Sequence, residues 1–148
     1  FRRSRGLGDV YKRQVRDIMW NYCGVVRSGE GLEYALKELM KVKHASEDVD
    51  VRPSAEGFSD LALAIDLLGS IDSAEATIRS AIAREESRGA HQRSDFSDTR
   101  NSEKVNYTIH LSDGKQKVSK SKVRDLNEKL QNAVDSYEEI SVKGRLLE

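Results

Sequence analysis

Apolar residues at Val15, Ile18, Met19 and Tyr22 recur at the spacing of one helical face, and Gly24 closes the run. A short first helix is predicted. After Val25-Val26-Arg27, Ser28 offers a side-chain oxygen as N-cap and Glu30 places an acid in the first turn, where the helix dipole favours it. Leu32, Ala35, Leu36, Leu39 and Met40 continue an apolar stripe to about His44, a second helix. Residues 45–57 hold acids, Ser46, the single proline Pro53 and Gly57, the composition of a connection. Ser59 or Asp60 is placed to cap a long third helix from Leu61 to Ser87. Its apolar side is read as Leu61, Ile65, Leu68, Ile71, Ile78 and Ile82, with a kink expected at Gly69. Gly89 then supplies the left-handed residue that closes many helices, so the third helix is expected to stop at Ser87 or Arg88.

The pattern changes beyond a polar stretch from Gln92 to Lys104. Tyr107-Thr108-Ile109-His110-Leu111 alternates at period two, Ser112-Asp113-Gly114 reads as a turn, and Gln116-Lys117-Val118 returns. A β-hairpin is predicted. Leu126, Leu130, Ala133, Val134 and Tyr137 fall back into helical spacing, a tail helix without a strong stop before Gly144. The fold class that follows is mainly α: an antiparallel three-helix bundle, a short β-hairpin and a C-terminal tail helix. The organisation reads as a non-native or disordered leader over residues 1–14 and a helical domain over residues 15–104. A hairpin extension follows over residues 105–124 and a tail over residues 125–148.

Composition narrows the classes of function. The 148 residues suffice for one domain burying roughly two thirds of its unfolded surface. With 25 basic and 25 acidic residues the net charge is zero, so no global field draws the chain to nucleic acid or an anionic membrane. No apolar run approaches the roughly 20 residues of a membrane span, and the N-terminus lacks the pattern of a cleaved signal. A cytoplasmic location is expected. The lone cysteine, Cys23, cannot form an internal disulfide. Arg2, Arg3, Arg5, Lys12 and Arg13 make the leader basic, which reads as translated adaptor sequence or as an arm for an acidic surface.

The densest candidate chemistry is the run Arg84-Glu85-Glu86-Ser87-Arg88-Gly89-Ala90-His91-Gln92-Arg93. Cations at a helix C-terminus complement its dipole and suit acidic or carbonyl partners. Two readings are open: His91 between Arg88 and Arg93 acts as a proton donor or substrate-binding cation, or the cluster docks the helix end to a neighbouring domain. Docking is favoured, with Arg84, Glu85, Arg88, His91 and Arg93 as its residues. His44, His91 and His110 lack paired metal-ligand spacing, so no metal site is expected. Gly6-Leu7-Gly8 and Ser28-Gly29-Glu30-Gly31 do not complete G-x-G-x-x-G. Trp20 and Cys23 are read as core. Lys115, Lys117, Lys120, Lys122 and Arg124 fit a lysine-protected edge strand, and without interleaved aromatics they make a weak nucleic-acid platform.

The R-E-E-S-R-G-A-H-Q-R run resembles a stretch in the flavoprotein subunits of succinate dehydrogenase and fumarate reductase and in the related L-aspartate oxidases. Met19-Trp20-Asn21-Tyr22-Cys23-Gly24-Val25-Val26-Arg27 is similar to the M-W-x-x-x-G-(I/V)-V-R opening of that family's C-terminal helical domain, and Phe58-Ser59-Asp60-Leu61 to the start of its next long helix. The likeness covers Val15 to Arg100 and continues more weakly from Asn106 to Arg124. It departs where D-(Y/F)-P-x-R would follow: Asp95-Phe96 precedes Ser97, and Arg100 is displaced by one position.

The resemblance implies a piece of an FAD-dependent dicarboxylate oxidoreductase. Hydride chemistry in that family lies in the flavin-binding and capping domains, and electrons pass through an iron–sulfur subunit. This piece would then contain no catalytic residue and bind neither cofactor nor metal, with FAD in the parent. Its partners would be the flavin-binding and capping domains, and the parent would lie on the inner face of the membrane without a span here. L-aspartate oxidase is one rival reading. A stand-alone helical adaptor for an acidic protein is the other.

Overall fold

The computed structural model describes residues 7–47 and 58–145. Helix α1 (Leu7–Tyr22) leads into a two-residue strand β1 (Val26–Arg27), then α2 (Gly29–Ser46) and α3 (Phe58–Ala83). A second short strand β2 (Gln92–Arg93) and a 3-10 turn (Asn101–Glu103) follow. The hairpin strands β3 (Val105–Ser112) and β4 (Lys115–Lys122) and helix α4 (Glu128–Arg145) complete the order. The mainly α class and the hairpin agree with the sequence reading. Part of the stretch read as a leader, residues 7–14, belongs to α1.

Helices α1, α2 and α3 pack pairwise around one core. Leu32, Ala35, Leu39 and Val42 form the inward face of α2, and Leu67, Ile71, Ala74, Ile78 and Ala81 that of α3. Val15 and Cys23 contribute from α1 and its end. The α3 stripe recurs every three or four residues, but it is rotated from the one expected: Ile65 and Leu68 are exposed, while Leu67, Ala74 and Ala81 are inside. A helix with leucine, isoleucine and alanine around most of its circumference offers more than one apolar stripe, and only packing selects among them. Trp20, read as core, is 82% exposed. Cys23, three residues on, is buried as expected.

Ser28 caps α2 as its position predicts, accepting a hydrogen bond from the Gly31 amide at 3.1 Å. The cap of α3 lies outside the described residues, and Ser59 and Asp60 fall within its first turn. The helix runs unbroken through Gly69, where a kink was expected. It also ends at Ala83, before Ser87. Polar contacts join the helices from outside the core: Lys12 pairs with Asp66, and buried Glu75 on α3 accepts from Lys43 of α2 and from Arg79, both at 2.8 Å.

The hairpin is longer than its period-two core suggested, with Val105 opposite Lys122 and Ser112 opposite Lys115. Asp113 and Gly114 turn it with φ of 53° and 71°, the doubly left-handed turn that an Asp-Gly pair favours. Both strands touch α3, and Gln116 donates to the Asp72 carbonyl at 2.9 Å. Helix α4 extends beyond the expected span, and its Leu130, Val134 and Tyr137 are exposed.

Because Leu39 and Ile78 are wholly buried, Leu39→Ala and Ile78→Ala each lower the urea-unfolding free energy of the chain by about 2–5 kcal/mol. Leu68→Ala, on the exposed side of α3, stays within about 0.5 kcal/mol. Equal losses at positions 39 and 68 would refute this packing.

Candidate functional site

The basic run leaves α3 at Ala83 and becomes a looped corner against the α1–α2 junction. Within it the Glu86 side chain is fully buried. There Glu86 collects donors. Its Oε1 accepts from Arg84 Nη1 at 2.5 Å and Arg88 Nε at 2.8 Å. Oε2 accepts from Arg88 Nη2 at 3.0 Å and the Arg100 amide at 2.8 Å. A buried carboxylate persists only when so paired. The Arg88 guanidinium, helped by the Arg100 amide and Arg84, outweighs burial and holds the Glu86 carboxyl down at about 2.

Gly89 is left-handed, at φ 59°, but its role is not the expected helix cap. It sits in a four-residue turn closed by Arg88 N to His91 O at 2.8 Å and His91 N to Arg88 O at 3.1 Å. That reversal sends Gln92 and Arg93 back as β2, parallel to Val26 and Arg27.

Arg93 is 4% exposed and closes α3 from below. Its Nη1 donates to the Ala81 carbonyl at 2.8 Å and lies 3.4 and 3.3 Å from those of Ile82 and Arg84, the carbonyls a helix end leaves unpaired. Its other face makes a two-pronged bond to Asp95, Nε to Oδ1 and Nη2 to Oδ2, each 2.7 Å. Asp95 Oδ2 also accepts from the Gly29 amide at 2.9 Å, at the positive end of α2. Arg93 chiefly, with the Gly29 amide, holds the Asp95 carboxyl well below the usual carboxylate range. The end of α3 and the start of α2 are thus joined through one ion pair.

Arg84 also reaches outward, donating to the carbonyls of Glu103 at 3.2 Å and Val105 at 2.8 Å and stacking on Tyr107, 4.4 Å from its ring centre. The hairpin's first strand is anchored there. Phe96 lies between Arg93 and Arg100, at 4.9 and 5.2 Å.

Of the five residues read as docking groups, Arg84, Arg88 and Arg93 spend their charge on Glu86 and Asp95 within the chain. Glu85 is exposed. His91 Nε2 faces the Arg84 carbonyl at 3.1 Å and its Nδ1 faces Arg27 Nη1 at 2.9 Å. A carbonyl only accepts and a guanidinium only donates, so Nε2 carries the proton and Nδ1 the lone pair. Burial first, then the nearby Arg27, Arg93 and Arg84, push the imidazole below its ordinary value. His91 is a neutral spacer between two arginines. Glu86 and Asp95 were missed as partners, although an acid two residues from each of two arginines is the signal that could have drawn attention to Glu86.

The glycine-rich Ser28–Gly31 segment has no amide to spare for a phosphate at its two glycines. Gly29 donates to Asp95 and Gly31 to Ser28, and a Cβ at Gly29 would meet the Asp95 carboxylate at 2.9 Å. The described residues therefore do not fit a flavin phosphate cradle at this helix start. Among them, no cluster of three acid, histidine or cysteine side chains could hold a metal ion, and no helix is long and apolar enough to cross a membrane.

Over residues 12–137 the sequence matches the family described as the C-terminal part of fumarate reductase flavoproteins. It is 38% identical over 98 residues to a fumarate reductase (CoM/CoB) of Methanothermobacter marburgensis, covering 63% of this chain and 18% of that protein. It is 41% identical over 83 residues to L-aspartate oxidase of Pyrococcus furiosus, covering 56% of this chain and 13% of that one. The chain thus spans less than a fifth of the length of these relatives. The fold is similar to that of an E. coli quinol fumarate reductase FrdA variant, with a TM-score of 0.75, 24% identity, and coverage of 81% of this chain and 21% of that one.

Acid weakens this corner in two stages. His91 has a folded value below its unfolded one, so its contribution is complete above about pH 6.5 and is lost as pH falls from there. Glu86, held down at about 2, contributes fully above the usual glutamate range and loses that contribution as pH drops toward 2. His91→Gln can keep both hydrogen bonds through an amide, so it abolishes the first decline in urea midpoint and leaves the second. Glu86→Ala leaves two guanidinium groups unpaired and costs about 3–5 kcal/mol at pH 7. A His91→Gln profile identical to that of the unaltered chain would contradict the neutral-spacer role.

Proposed function

The chain belongs to the family of fumarate reductase flavoprotein C-terminal domains, and from that membership we propose that it braces the catalytic body of an FAD-dependent succinate dehydrogenase or fumarate reductase. The substrate class of that parent is a four-carbon dicarboxylate, and its further partner is an iron–sulfur subunit. The bracing domain itself supplies no group to the chemistry.

One observation carries the structural role. Large apolar side chains stand in solvent beside the ordered corner: Trp20 is 82%, Val25 63% and Val26 70% exposed. All three fall within the M-W-x-x-x-G-(I/V)-V-R stretch. Exposed aromatic and aliphatic residues next to an arginine have the composition of an interface centre. The corner supports that face from behind, because Gln92 donates to the Val25 carbonyl at 3.2 Å and Ser94 to the Arg27 carbonyl at 2.8 Å. In this reading the Arg84–Arg93 run, with Glu85 and His91, serves docking by fixing the shape of the face. A self-contained adaptor would not need such a face uncovered.

L-aspartate oxidase is the second reading, favoured by the 41% identity to the Pyrococcus furiosus enzyme. The two readings differ in the parent's substrate and not in what this domain does. Succinate or L-aspartate turnover by the complete flavoprotein separates them.

The bracing role predicts opposite behaviour in two settings. Trp20→Glu leaves the unfolding midpoint of the 148-residue chain unchanged, since the side chain is already in water. In the complete flavoprotein it lowers the temperature at which FAD is released. An unchanged release temperature would remove Trp20 from any interdomain contact.

A further inference from the structure

Arg27 of β1, α3, the Arg88–His91 turn and β3 border an open groove of about 360 Å³ whose polar lining is Arg27, Thr77, Ser80, Arg84, His91 and Tyr107. Its charges are unevenly matched. Arg84 pairs with Glu86, which Arg88 shares, and its Nη1 and Nη2 also donate to backbone carbonyls. Arg93, just beyond, is balanced by Asp95. Arg27 alone in this lining has only neutral partners: its Nε donates to the Gly24 carbonyl at 2.6 Å and its Nη1 to His91 at 2.9 Å.

Among the described residues, no carboxylate lies within ion-pair distance of Arg27, and its Nη2 makes no hydrogen bond. That nitrogen is nevertheless open to solvent, for the only buried unpartnered side-chain polar atom among them is Gln116 Oε1. The guanidinium is also held in place. The neutral His91 ring takes one prong, the Gly24 carbonyl fixes Nε, and the backbone of Arg27 is paired to β2. A half-buried cation, oriented at two nitrogens with the third presenting its donors, is built to meet an anion with planar oxygens.

Resting on the bracing role above, we propose that Arg27 receives a carboxylate in this groove, the side chain of an aspartate or glutamate presented by the flavin-holding part of the parent enzyme. The charge of the site favours an acidic guest: Arg27, Arg84, Arg88 and Arg93 face only Glu86 and Asp95 in ion pairs. The lining also holds Ala76 and Ala81, apolar surface that a docked guest covers together with the guanidinium, and exclusion of water there strengthens an arginine–carboxylate pair. The inference assigns to Arg27 the outward charge contact that the Arg84–Arg93 run does not make in this chain.

The test uses the complete FAD-loaded flavoprotein carrying Arg27→Lys, treated with a water-soluble carbodiimide, which couples an amine to a carboxylate only when the two touch. The expected result is a peptide linking position 27 to an aspartate or glutamate outside these 148 residues. It is accompanied by a lower FAD-release temperature on Arg27→Gln, since the acidic guest is then left unpaired at the interface. A link only to an acid within this chain overturns the proposal. So does coupling to added succinate with no peptide partner, which would mark a site for a free carboxylate. If Trp20→Glu lowers the FAD-release temperature while position 27 yields no link and Arg27→Gln leaves that temperature unchanged, bracing stands and the Arg27 contact fails. If neither variant has an effect, both fail.

Discussion

The Arg93–Asp95 pair is the contact on which the arrangement of this domain rests. Three helices can bury their apolar faces in many relative positions, because apolar contact has no direction. Guanidinium bonds do have direction. Arg93 meets the unpaired carbonyls at the end of α3 on one side and Asp95 on the other, and Asp95 in turn meets the first amide of α2. The opposite ends of two helix dipoles are thereby closed with a single pair of residues, one 4% exposed. Glu86 repeats the device in the same corner, gathering Arg84 and Arg88 and, through Arg84, the start of the hairpin.

This division of labour explains why so cationic a corner is not itself a sticky surface. Most of its positive charge is neutralised by acids of the same segment, and the donors left over go to helix and strand carbonyls. What emerges is an ordered ledge on which Val25 and Val26 are exposed and Arg27 is half-buried. The apolar core sets the helices together, and the ion pairs fix their ends.

Much of the fold was legible in the sequence, wherever one local rule decided the outcome. Ser28 could cap only one helix, and Asp113-Gly114 between alternating strands could make little other than a hairpin turn. The third helix was harder. Arg84 to Arg88 are acceptable helix formers, and nothing local announces that the helix ends at Ala83. Gly89 was rightly read as left-handed, but the same backbone state serves a helix end or a tight reversal, and the partner across the turn chose the latter. The rotated stripe of α3 and the exposed Trp20 share another cause: apolar residues face neighbours of this chain or of a larger assembly, and periodicity does not say which. At the candidate site the cations stood out and their acids did not, although Glu86 and Asp95 each lie two residues from an arginine, because sequence spacing does not show which charges are buried together; the Asp95–Gly29 bond, across 66 positions, had no local signal at all.

The central claim is that the arginine cluster works inward, by locking helix ends. Native-state amide hydrogen exchange on Arg93→Lys tests it most directly, since lysine keeps the charge but cannot grip Asp95 and the α3 carbonyls together. The account predicts that protection falls at the Gly29, Gln92 and Ser94 amides while the middle of α3 around Ile71 to Ile78 keeps its own. Unchanged protection at Gly29 and Ser94 in a folded variant would contradict it.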